Sequence, residues 1–163
     1  MNEKFSLKKT LLKSGLLLGV LTSLLHGSNI DFPKNYKDEV LYFKNDRGSI
    51  TEEVFVDKRV IEKVQNNQQI PIGTVITLVE YFAKDKKGAD GYALKGDLKR
   101  FVVMKKEPIN NDTTNSGGWI YQAFNPNGTI KEENLNRCVS CHNSAKNNDF
   151  VFTFDDIKNF RLD

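Results

Sequence analysis

The chain is poor in residues that build cross-links and metal cages: its 163 residues hold two cysteines, two histidines, two methionines and one tryptophan. Two cysteines three positions apart offer no disulfide framework, so the fold has to rest on hydrophobic burial. A structural zinc site needs four ligands, and Cys138, Cys141 and His142 supply three in one short run. Long apolar runs are scarce too. The run at residues 15–25 has eleven residues, short of the roughly 20 that a membrane-spanning helix requires. There is no internal repeat. An excess of one charge is also missing once the N-terminus is set aside. The whole chain has 24 Lys and Arg against 21 Asp and Glu, but residues 1–28 carry four lysines and one glutamate, leaving 20 against 20. A neutral domain gives no support for nucleic-acid binding, and its dispersed lysines read as solvated surface.

What is present begins with an export signal. Lys4, Lys8, Lys9 and Lys13 precede the apolar run, which matches the charged and hydrophobic parts of a secretory leader. The following His26-Gly27-Ser28-Asn29 is a poor small-x-small cleavage site, so residues 1–28 are expected to act as a signal peptide or be kept as an anchor through residues 11–25. The expected location is the bacterial periplasm. Residues 29–163 are long enough for one domain with one core.

Cys138-Val139-Ser140-Cys141-His142 carries the chemistry. On one helical turn both thiols project from the same side, so each can add to one haem vinyl group while His142 is carried under the ring to ligate iron. The expected cofactor is one covalent haem c per chain, with His142 as the proximal ligand. A redox dithiol is the next reading, although a thioredoxin-like CxxC sits early in a βαβ unit.

Periodicity sketches an α+β chain. A helix is expected over residues 32–45, where Tyr36, Val40 and Phe43 recur at helical spacing. Residues 51–56 read as a strand, and Asp57 caps a helix from 58 to about 67. Residues 74–82 are the strongest strand by Val, Ile and Thr content. Residues 84–97 read as a loop or irregular hairpin, 100–105 as a strand, 110–118 as a mobile loop and 119–124 as a strand. A helix over 132–144 carries the haem motif, 149–153 form a last strand, and Thr153 with Asp156 resembles a capping box for a closing helix.

The late position of the motif narrows the class. Common electron-transfer cytochromes carry it near the N-terminus and use a distant methionine, whereas here 21 residues follow His142 and none is Met. The four-helix cytochromes c′ carry it late but lack strands. The chain resembles the cytochrome P-460 family, which includes the cytochromes c′-beta. The resemblance rests on Phe32-Pro33-Lys34-Asn35-Tyr36, Val54-Phe55-Val56-Asp57, Gly73-Thr74-Val75-Ile76, Gly118-Trp119, Cys138 to His142 and Asp149-Phe150-Val151-Phe152-Thr153, in matching order and spacing. It implies a largely antiparallel sheet with flanking helices, a homodimer and a haem with an open distal position. Its known activities are hydroxylamine oxidation in the catalytic members and binding of nitric oxide or carbon monoxide in the c′-beta members.

One departure bears on catalysis. Hydroxylamine-oxidising members link a lysine to the haem ring from the strand after Gly-Thr-Val-Ile, and the matching residue here is Leu78, which cannot form the bond. Lys84, Lys86 and Lys87 lie beyond that position. Ligand supply also favours an open iron, because beyond residue 28 the chain has one histidine, His142, and one methionine, Met104, which reads as core. Ile76, Leu78, Glu80 and Phe82 share a strand face, and the resemblance places Leu78 beside the haem, so Phe82 and Phe55 are candidates for aromatic distal cover. Glu80 is the odd member of that face. Glu133, near where catalytic relatives carry a proton-moving carboxylate, is the candidate catalytic residue, with helix N-terminal charge as the plainer reading.

Three functions stay open: a gas-binding haem protein of c′-beta type, a haem enzyme acting on hydroxylamine or nitric oxide, and a periplasmic electron carrier with a cytochrome partner.

Overall fold

The computed structural model describes residues 30–162; the expected export segment at 1–28 lies outside the described residues. Five strands form one antiparallel meander in the order β1-β2-β3-β4-β5: β1 Val40–Arg47, β2 Ile50–Val56, β3 Val75–Lys87, β4 Ala93–Lys106 and β5 Trp119–Phe124. Three helices accompany it, α1 Lys58–Gln65, α2 Asn136–His142 and α3 Phe154–Asn159. The architecture is α+β with an antiparallel sheet, as the sequence implied, and the cysteine motif lies on α2.

Strand alternation divides the core in two. On one face Val54 pairs with Leu78 and Leu78 with Val102, while Val56 pairs with Ile76 and Ile76 with Met104. Val54, Val56, Leu78, Ile76 and Met104 join Tyr42, Trp119 and Tyr121 in a cluster with Val60, Ile61 and Val64 of α1 and Ile157 of α3. On the opposite face Phe55, Val79, Phe101, Val103 and Phe124 are covered by Ile30, Phe32 and Tyr36 of the N-terminal segment. Edge-to-face ring contacts hold that cover down, with Phe32 and Phe101 centroids 4.9 Å apart and Tyr36 and Phe55 5.1 Å apart. With both faces covered, β2 is buried along its whole length.

The helix expected over 32–45 is replaced by a 3-10 turn, Tyr36–Asp38, followed by β1. Tyr36, Val40 and Phe43 read as helical by spacing, but Val-Leu-Tyr-Phe is also strand-forming, and pairing with β2 decides the outcome. The expected strand over 149–153 does not form. Asp149 and Phe150 instead take left-handed backbone angles, φ 54° and 61°, in a tight reversal. The helix expected over 132–144 starts late, at Asn136, because Asn134 takes the Asn136 amide in an Asx turn at 3.0 Å. The 84–97 segment is an irregular hairpin in which β3 and β4 continue outward with register shifts. The 110–118 loop is pinned: Asn110 Oδ1 accepts from the amides of Asp112 and Thr113, and Thr113 and Ser116 are buried. Thr153 precedes α3 without capping it through its side chain, whose hydroxyl is shared with Tyr42 at 2.7 Å.

Candidate haem site

Helix α2 is unusual in burying none of its seven residues fully. Cys138 is half-buried against the cluster that contains Leu78, Ile76 and Met104, whereas Cys141, one turn on, is exposed. Both thiols are free. Burial pushes the Cys138 thiol pKa up, against the pull of the Arg100 guanidinium. Two free thiols on one helix face are the donor set that thioether formation needs.

His142 closes the helix. Its Nδ1 donates to the Phe150 carbonyl at 2.7 Å, so the hydrogen sits on Nδ1 and Nε2 keeps its lone pair. Two rings brace the imidazole edge-on, Tyr121 from β5 at 5.3 Å between centroids and Phe152 at 5.0 Å. Burial lowers the His142 pKa, only partly opposed by the bond to Phe150, which keeps the imidazole neutral and fit to ligate a metal. Phe152 is 53 % exposed beside it, apolar surface that a bound macrocycle would cover.

A charged network borders the cysteines. Glu80, fully buried on β3, accepts from Arg100 Nε at 2.8 Å and Nη2 at 2.9 Å, and pairs with Lys99 at 3.0 Å. Arg100 reaches on to Glu133, which also binds Lys131. Burial pushes the Glu80 carboxyl pKa up, but the Arg100 and Lys99 hydrogen bonds outweigh it and hold it below the ordinary carboxylate range. Glu133 is ion-paired with both Arg100 and Lys131 in this arrangement, and it stands ahead of α2 rather than in its first turn.

The sequence-derived site is brought together in part. Leu78 and Cys138 pack on one cluster, with His142 beside Tyr121 of the same cluster. Phe55 lies on the opposite sheet face, in contact with Tyr36, because it alternates with Val54 and Val56. Phe82 is in phase with Leu78 but four residues further out, where it is 49 % exposed. Glu80 faces the expected side and is neutralised there by its cations. Met104 packs as core. The sequence reading did not identify Arg100, Tyr121, Lys106 and the Asp149-Phe150 turn. Tyr121 could have been found from its strand phase with Trp119; the turn gives no signal, because its sequence alternates like a strand.

A CxxCH helix with a neutral imidazole, packed beside an antiparallel sheet, defines a haem protein. The Cytochrome P460 family profile matches residues 33–153. That span covers most of the chain and includes both the sheet and the motif, and the chain belongs to the cytochrome P460 family. Haem is accordingly its cofactor. Among curated proteins no match was found.

Proposed function

We propose that this is an exported mono-haem c-type cytochrome of c′-beta type that binds nitric oxide or a similarly small neutral ligand. One observation carries the reading: the strand position that bears a cross-linking lysine in catalytic relatives is Leu78, and here it packs in an apolar cluster with Cys138. Haem, when bound, would supply an iron able to take up a small neutral ligand. The chain's own residues do the rest. Cys138 and Cys141 would hold the group through thioether bonds, and His142 would ligate its iron through Nε2. Leu78 and Val102 present hydrocarbon, which disfavours water and charged ligands and admits a neutral diatomic.

The test is the optical spectrum of the reduced holoprotein with and without nitric oxide, together with mass spectrometry of haem-bearing peptides. An ordinary c-type spectrum, haem that resists acid-acetone extraction, tight nitric oxide binding and negligible hydroxylamine turnover are expected. A second covalent haem link to residues 70–84 with rapid hydroxylamine oxidation would make the protein an enzyme, and a six-coordinate ferrous spectrum inert to nitric oxide would make it an electron carrier.

A further inference from the structure

The acceptor for His142 is built from an improbable backbone. Asp149 and Phe150 are consecutive non-glycine residues at φ 54° and 61°. Left-handed geometry is unfavourable for an L-residue, so such a pair persists only when its surroundings over-determine it. They do. The Asp149 carbonyl accepts from the indole Nε1 of Trp119 at 2.8 Å. The Asp149 carboxylate is ion-paired with Lys106, whose ammonium lies 5.6 Å from the centre of the Trp119 ring. The Phe150 amide donates to Ala145 at 2.9 Å and the Val151 amide to Asn148 at 3.0 Å. The Phe150 ring fills the space over Gly117, where a Cβ would lie 2.2 Å from ring carbon.

Lys106 and Trp119 are register partners at the end of the sheet. Trp119 is 1 % exposed, so its indole N–H has a fixed direction. The rigid sheet end therefore grips one carbonyl of the turn while the next carbonyl grips the imidazole. We propose that Lys106 and Trp119 are positioning residues for the proximal ligand: they clamp the Asp149-Phe150 turn so that the Phe150 carbonyl fixes the His142 ring plane and its Nδ1–H tautomer. A carbonyl held at 2.7 Å from Nδ1 also makes Nε2 a stronger donor, since such partners raise the basicity of a ligating imidazole. The inference rests on His142 being the iron ligand.

Trp119→Phe keeps the ring and removes the N–H; Lys106→Met keeps the apolar stem and removes the charge. Resonance Raman of the ferrous holoprotein should show the iron–histidine stretch shifted to lower frequency in both, and the ferrous nitric oxide complex should shift toward loss of the histidine. In the haem-free chain, nitrogen-15 NMR of His142 should change from a single Nδ1–H tautomer to a mixture. Val64→Ala, in α1 away from the turn, serves as a control that loses stability without altering either readout. Wild-type stretch and tautomer in folded Lys106→Met, or equal shifts in Val64→Ala, would overturn the proposal. An iron–histidine stretch surviving in His142→Gly would instead sink the ligand assignment beneath it.

Discussion

At the residue scale, a buried glutamate and a half-buried one show how context sets the sign of a charge's effect. Glu80 is enclosed but has Arg100 and Lys99 within hydrogen-bond reach, and its pKa falls. Glu39 has one carboxylate oxygen sealed from solvent without a hydrogen-bond partner, and burial together with the nearby Asp57 charge raises its pKa to about 7. Linkage fixes the directions. Glu80, depressed in the folded state, contributes stability above its unfolded pKa that is lost as acid protonates it. Glu39, raised in the folded state, leaves stability intact below its unfolded pKa and erodes it as pH climbs toward about 7. Stability should therefore decline from mildly acid to mildly alkaline pH, and Glu39→Gln should flatten that limb while leaving the acid limb alone. Denaturant melts at about pH 5 and about pH 8 measure it; an unchanged alkaline slope in Glu39→Gln would show that the carboxyl ionises without penalty.

At the scale of elements, the clearest prediction concerns two turns that meet. Gly117 has φ 62°, and any Cβ there meets the Phe150 ring. Gly117→Ala should cost on the order of 1–3 kcal/mol by strain and overpacking, and because Phe150 carries the His142 acceptor, the loss should come with a disturbed iron–histidine stretch. A variant with reduced melting temperature but an intact stretch would separate packing from positioning. These turns also mark where the sequence stops being readable. Strands β2, β5 and the inner parts of β3 and β4, with helix α1 and its Asp57 cap, follow local pattern and were legible. Cys138, Cys141 and His142 stand out by spacing, and the structure puts all three on α2. The β1 segment was not legible, since Tyr36, Val40 and Phe43 recur at helical spacing and only pairing with β2 overrides it. Nor was the Asp149-Phe150 reversal, whose cause is the distant Trp119 and Lys106 rather than anything local. Phe55 shows the same limit: its face depends on register, and register places it under Tyr36.

At the scale of the whole molecule, among the α-helices of the described residues α2 is the one that packs least completely. Helix α1 buries Val60, Ile61 and Val64, and α3 buries Ile157, but α2 buries nothing completely and its N-cap, Leu135, makes no side-chain cap. A helix this short is marginal without tertiary packing. Its apolar neighbour Phe152 is left half-exposed at the same place. On the proposed assignment the haem completes this part of the core, so cofactor attachment should be a folding event confined to residues 136–141, ahead of the His142 and Asp149-Phe150 contacts that the sheet end already holds. Preparing the Cys138→Ala, Cys141→Ala double variant without haem and comparing its amide hydrogen exchange with that of the holoprotein measures this. Amides of β2 and the inner parts of β3 and β4 should exchange slowly in both, since their ladders do not involve α2. Amides of residues 136–141 should be protected only when haem is bound, and the melting temperature should rise with haem. Equal protection of α2 in both forms would mean that the protein alone orders the motif, and that attachment fills a site already rigid.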